Sequence, residues 1–434
     1  MQASRAAQRW FAALILTIAV TTLQAAPPAA GGWASRPDVV EFVREMVDRH
    51  GFDQATLTDV FERTRTADVA LKLMSPAPVT GKRSWSAYRA RFVEPIRIRE
   101  GLRFWREQAD PIRRAADRFG VPQEIIVAII GVETVYGRNT GDFRVMDALT
   151  TLAFEDPRRA AFFREELEQF LLLSRDSEVD PLLWRGSYAG AIGLPQFMPG
   201  SIRRHAIDFD GDGRIDLRAS TSDAIGSVAR FLSNHGWRPG EPTHFQALVD
   251  DETRARPAVE AGVPPKLSMA DLAALGVSSP QTIAATDLLS LIDLPDGDKP
   301  TQFVLGTNNF WVITRYNRSY FYAMSVIDLA RALRGAANAP VGGSAGEKTG
   351  REIAVTAIAH DEHNRGVVDL LGDAKRDAAG PCRRRAAEDA FFGRKASGHR
   401  LGIGLRDELD PVDHGMPVDL GQVSLGPLAN PGNR

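Results

Sequence analysis

Cysteine is all but missing from this chain of 434 residues; the only one is Cys382, far toward the C-terminus. A single thiol excludes an intramolecular disulfide and a cysteine-based zinc site. Net charge is nearly missing too, since 53 lysines and arginines against 55 aspartates and glutamates leave a formal charge of -2. That balance gives no electrostatic footprint for nucleic acid or for an acidic membrane surface. No internal repeat is visible. The apolar run from about Trp10 to Val20 is short for a membrane span.

What that run does resemble is an export signal. Arg5 and Arg9 form a basic start, the apolar run follows, and small residues surround Ala25 and Ala26. Residues 1–25 are therefore expected to be a cleaved signal peptide, with an uncleaved N-terminal anchor as the alternative. No cysteine stands near the cleavage region, which argues against a lipid-modified N-terminus and for no stable membrane anchor. With 44% hydrophobic residues the chain can bury a substantial core of two or three domains. An exported protein without disulfides relies on that core and on any bound ion.

From Pro37 to about Arg334 the composition is globular, and helical periodicity dominates. Helices are expected from Pro37, within "DQATLTDVFERT", from about Val93 to Phe119 with an interruption near Pro111, at Arg158 to Ser174 and at Asp223 to His235. From about residue 286 to 316 the segments "LLSLIDL", "TQFVLG" and "FWVITRYN" are short, β-branched or aromatic, and predict a small sheet. "SYFYAMSVIDLARALR" closes the region as a helix. The expected fold class is mainly α, within α+β, with one catalytic-sized region over residues 33–335. Residues 336–434 begin with a linker-like "GAANAPVGGSAGEKTG" and read as a low-complexity, disordered tail.

Three local patterns carry chemistry. The first is "VPQEIIVAIIGVETVYGRNTG", which reads as a helix opened by Pro122 and stopped by Gly137. Glu133 continues the apolar stripe of Ile125, Ile126, Ile129 and Ile130. Such an acid is more often a boundary residue or an arginine's buried partner than a catalyst. Against that, Gly131 leaves space beside the helix, and apolar surroundings favour the protonated form that a general acid needs near neutral pH. The second pattern, "RGSYAGAIGLPQFMPGS", has four glycines and two prolines around Ser187, Tyr188 and Gln196. It describes either a packed loop or a backbone that approaches a ligand closely.

The third is "DFDGDGRID". Asp208, Asp210 and Asp212 fall at positions 1, 3 and 5 of an EF-hand-type loop, Gly213 at 6, Arg214 at 7 with its carbonyl, and Asp216 at 9. Position 12 is Ala219 instead of glutamate, so Asp223 is the nearest acid able to close the site. A solvated turn without metal is the alternative.

Together, "IIGVETVYGRNTG", "TLAFEDPRRAAFF", "GSYAGAIGLPQFMPGS", "DFDGDGRIDL", "DAIGSVARFLSNHGW" and "RYNRSYFYAMSV" resemble, in order and approximate spacing, the lytic murein transglycosylase B family of peptidoglycan-cleaving enzymes. The resemblance spans roughly Pro37 to Arg334 and leaves the tail unexplained. It implies a lysozyme-like helical domain acting on peptidoglycan glycan strands in the periplasm, as a monomer with no cofactor for catalysis. By the same resemblance Glu133 matches the single catalytic acid, Ser187 a contact to the substrate N-acetyl group, and Gln196 a cleft glutamine. Tyr316 and Asn317 match a pair facing that acid, Tyr88 a cleft tyrosine, and Arg158 with Arg159 a pair near the glycan or its peptide stem. Calcium is implied at Asp208, Asp210, Asp212, Arg214 through its carbonyl, and Asp223, although "RASTS" makes the stretch before Asp223 one residue longer than the family pattern.

The resemblance further implies that Glu133 acts first as acid and then as base, leaving a 1,6-anhydromuramoyl end. Two rivals stay open at this point. One is a lysozyme-type hydrolase with Asp142 or Asp147 as second carboxylate. The other is a catalytically silent peptidoglycan-binding protein.

Overall fold

A computed structural model of the chain describes residues 32–75 and 81–339. The expected signal peptide, nearly all of the expected tail and Cys382 lie outside them. Fifteen α-helices and seven short strands occur among the described residues, so the mainly helical α+β expectation holds. Packing divides the chain after Arg63 into two units. In the first, a 3-10 turn at Trp33–Ser35 precedes α1 (Pro37–His50) and α2 (Gln54–Glu62). Pro37 starts α1, Gly51 ends it at φ 66°, and the Asp53 carboxylate caps α2 by accepting from Thr56 N.

The second unit opens with α3 (Asp68–Met74), α4 (Trp85–Arg89), α5 (Pro95–Glu107), α6 (Ala109–Phe119) and α7 (Gln123–Thr134). The helix expected over 93–119 does break, but at Gln108 rather than near Pro111. Pro111 lies in the first turn of α6, where a missing N–H has no helical acceptor to lose. Next come β1 (Phe143–Arg144), α8 (Val145–Glu155), α9 (Ala160–Asp176), β2 (Arg185–Gly186), α10 (Pro199–His205) and α11 (Thr221–Asn234).

A sheet-bearing region follows: β3 (His244–Gln246), β4 (Leu248–Val249), α12 (Glu252–Ala261), α13 (Met269–Ala274), β5 (Val277–Ser278), β6 (Ser290–Asp296) and β7 (Lys299–Gly306). β6 and β7 are the strands expected in "LLSLIDL" and "TQFVLG". They form an antiparallel sheet in the order β3-β7-β6, with Leu291 opposite Leu305 and Phe245 opposite Leu305 on the other side. Its apolar face packs on Ala255, Ala258 and Leu272 of α12 and α13.

The third expected strand, "FWVITRYN", is instead the helix α14 (Asn308–Tyr316), followed by α15 (Tyr320–Asn338). Thr307 caps α14 by accepting from Asn309 N, and Phe310, Val312, Ile313 and Tyr316 are buried. Packing of that face overrides a weak β preference. α15 also runs three residues past the boundary expected at 335.

At the centre of this unit is α7, against which α5, α6, α11 and α15 pack. Every residue from Ile125 to Thr134 is buried. The apolar stripe read from sequence is thus a helix enclosed on all sides. Ile126, Ile129 and Ile130 are fully inaccessible, each contributing about 2 kcal/mol of burial free energy.

Candidate active site

Glu133 sits in the last turn of α7 and is 1% exposed. A carboxyl this deep is costly to ionise unless its oxygens are hydrogen-bonded. Tyr322, on the buried stripe of α15, supplies one bond: its hydroxyl donates to Glu133 Oε1 at 2.7 Å. In the neutral acid the oxygen that accepts this bond is the carbonyl one, which leaves Oε2 to carry the proton. Once the proton leaves, the same bond becomes charge-assisted and stronger.

The chain beyond Glu133 is bent by two consecutive left-handed residues, Val135 at φ 51° and Tyr136 at φ 57°. Val135, not Gly137, is therefore the stop, a strained choice for a β-branched residue. The bend returns the Tyr136 ring to α7: a Cβ added to Gly131 would lie 2.4 Å from Tyr136 Oη, and one added to Gly101 would lie 2.2 Å from it. The space that Gly131 leaves is filled by this ring and is not open to a ligand.

Thr134 ties the helix end to the glycine-rich loop, donating from Oγ1 to Leu194 O at 3.0 Å. The loop is a close weave of backbone, with Ile192 and Phe197 exchanging both N–H donors and Ser187 N bonding Ala191 O at 2.8 Å. Gly186 permits this, since a Cβ there would sit 2.3 Å from Ala191 O. Within the loop Gln196 is held left-handed at φ 51° and 1% exposed. Its Nε2 donates to Thr140 O and Gly193 O, while Oε1 is a buried acceptor with no hydrogen-bond donor among the described residues. Ser187 Oγ accepts from Ala191 N at 3.0 Å, and the Tyr188 ring meets Phe143 edge to face.

The Tyr316 hydroxyl donates to Pro195 O at 2.6 Å, and its ring stacks with that of Tyr322 at 6.3 Å. Tyr322 thus bonds the acid, and Tyr316 braces the loop beside Gln196. Asn317 is buried and turned to its own chain, accepting from Ser319 N. Tyr88 packs against Phe321, the neighbour of Tyr322.

Arg158 donates to Met74 O, and the Arg159 guanidinium lies over the Phe162 ring. Both backbone N–H groups are held by Asp156 Oδ1. Among the candidate second carboxylates, Asp147 already accepts from Arg144 Nη2 and Arg65 N through Oδ1, and Asp142 is exposed.

In the aspartate loop, Asp208, Asp210 and Asp212 each bring one carboxylate oxygen within 4.8 Å of the others. Asp208 also holds Gly211 N and Gly213 N, and Asp212 holds Arg214 N. Asp223 is not in this trio. Fully buried, it accepts Phe209 N at 2.7 Å and Asp216 N at 2.8 Å, so it braces the loop from below. Hard oxygens converging from alternating positions suit a calcium ion.

A family profile described as the transglycosylase SLT domain matches residues 34–331. Membrane-bound lytic murein transglycosylase B of Escherichia coli is 42% identical over 311 residues, covering 70% of this chain and 84% of that one. Among solved structures, the lytic transglycosylase SltB1 of Pseudomonas aeruginosa is 46% identical with a TM-score of 0.66, over 70% of this chain and 98% of its own. Slt35 of Escherichia coli, a lytic transglycosylase solved in complex with calcium, is 40% identical with a TM-score of 0.62, over 70% and 95%. This chain belongs to the lytic murein transglycosylase B family and is a peptidoglycan lytic transglycosylase.

Proposed function

We propose that the chain cleaves the β-1,4 bond between N-acetylmuramic acid and N-acetylglucosamine with Glu133 as its single acid and base. The carrying observation is the Tyr322 to Glu133 hydrogen bond inside a buried site. Glu133 Oε2–H protonates the glycosidic oxygen as the bond to muramoyl C1 breaks, and the substrate's N-acetyl group stabilises the cation. The Glu133 carboxylate then takes the proton of the muramoyl 6-hydroxyl, whose oxygen bonds to C1 and closes the 1,6-anhydro ring. Glu133 ends protonated as it began, and no water is consumed. Gln196 Oε1 offers an acceptor to a substrate N–H or O–H, and Ser187 borders the same loop. A hydrolytic route needs a second carboxylate to direct water, and the engagement of Asp147 with Arg144 and Arg65 argues against that residue.

The Asp208, Asp210 and Asp212 carboxylates with the Arg214 carbonyl would hold calcium, as a staple of the loop. The periplasm suits both the substrate and the signal-like N-terminus; among the described residues no helix is long and apolar enough to cross a membrane. Mass spectrometry of products released from purified sacculi tests the reaction. Anhydromuramoyl ends absent in Glu133→Gln support it, whereas reducing muramic ends would overturn it.

A further inference from the structure

A positive charge is buried beneath the acid. Arg97 of α5 is 2% exposed; its Nε donates to Gly131 O at 2.8 Å and its Nη1 to Arg91 O at 2.6 Å, with the guanidinium lying over the Phe92 ring. Its nearest acid, Glu94, is 3.5 Å away, half-exposed, and already accepts Ile96 N and Arg97 N, so the guanidinium is only partly neutralised. Glu100, also on α5, pairs outward with Arg99 and Arg103.

Gly131 stands two residues before Glu133, in the last turn of α7. The carbonyls there form the negative end of the helix dipole, which opposes a carboxylate in the same turn. Proton transfer to the sugar requires that carboxylate. A cation on a terminal carbonyl offsets the opposition, and the low dielectric of a buried site magnifies its effect. Tyr136 fills the space between Gly131 and Gly101 of α5, its ring tilted against Phe104, so the last turn of α7 is packed tightly onto the helix that carries Arg97.

We propose that Arg97 is a positioning residue for Glu133: its guanidinium fixes the last turn of α7 through the Gly131 carbonyl and holds a charge there that lets the acid release its proton. The proposal rests on Glu133 being the acid and base.

Two substitutions separate charge from hydrogen bonding. Arg97→Gln keeps a donor for Gly131 O without the charge, and Arg97→Lys keeps the charge. Turnover of soluble, uncrosslinked glycan strands is followed by mass spectrometry, with the melting temperature of each variant measured alongside. Arg97→Gln is expected to lower kcat by about tenfold to thirtyfold with KM within about twofold, and Arg97→Lys to stay within about threefold of wild type. Equal turnover in the two variants, or losses that follow the melting temperature instead of the charge, would overturn the proposal. Glu133→Gln is the control. If it remains active, the acid assignment itself fails; if it is inactive while Arg97→Gln keeps wild-type kcat, only the role of Arg97 fails.

Discussion

The Tyr322 hydroxyl and Glu133 Oε1 are 2.7 Å apart, each contributed by a helix whose buried residues are mostly apolar. Two polar groups that would each be costly to bury alone satisfy one another.

Tyr322→Phe removes that donor. We expect kcat to fall about tenfold to a hundredfold with KM little changed, because the bond matters most when Glu133 is ionised. Tyr316→Phe makes the contrast. It strips the donor from Pro195 O, so its main cost is stability, about 1–2 kcal/mol by denaturant unfolding, with a smaller effect on kcat. Equal kinetic losses in the two variants would contradict the assignment of Tyr322 to the acid.

Much of this arrangement was legible in the residues, and the misreadings have physical causes. Glu133 stood out as an acid among isoleucines, but the enclosure of α7 on every side comes from helices distant in sequence. Tyr322 could have been found by the same reasoning, since it shares a helical face with Val326, Leu329 and Leu333, all fully buried, and a phenol there needs a partner. Tyr316 drew attention through its motif, while its bond to Pro195 O comes from packing between segments distant in sequence. "FWVITRYN" looked like a strand because aromatic and β-branched residues suit one, while its Thr307 cap was the quieter signal. Asp223 was tied to the aspartate loop by spacing, whereas its bonds to Phe209 N and Asp216 N are visible only in the backbone geometry.

Gly131→Ala tests how tightly the turn beneath the acid is packed. The new methyl would lie 2.4 Å from Tyr136 Oη and 2.6 Å from Cζ, too close without movement of a ring packed against Phe104. A loss of about 1–3 kcal/mol is expected by denaturant unfolding. An unchanged midpoint would mean that Tyr136 can leave its site.

Removing divalent ions addresses the aspartate loop. With calcium held by Asp208, Asp210 and Asp212, a chelator lowers the melting temperature of the wild type and added calcium restores it. Asp212→Ala is expected to start at the lower temperature and to respond to neither. Wild-type melting that ignores both chelator and calcium would mark the loop as a turn braced by Asp223 alone.

His244 predicts a pH dependence of stability. Arg331 only donates, so its 2.7 Å contact makes His244 Nε2 the acceptor and leaves Nδ1–H to donate to Thr243 Oγ1. Burial, aided by the Arg331 charge, pushes the imidazole down to about 3 from its ordinary 6.5. The folded chain therefore keeps His244 neutral while the unfolded chain protonates it, and stability is lost as pH falls from about 6.5 toward 3. Across that window this one site removes about 1.4 kcal/mol per pH unit. His244→Gln retains an acceptor for Arg331 and cannot titrate. Its unfolding free energy should therefore fall less steeply than that of the wild type between pH 6.5 and pH 4. Parallel pH profiles for the two proteins would show that His244 is charged in the fold or exposed to the same extent in both states.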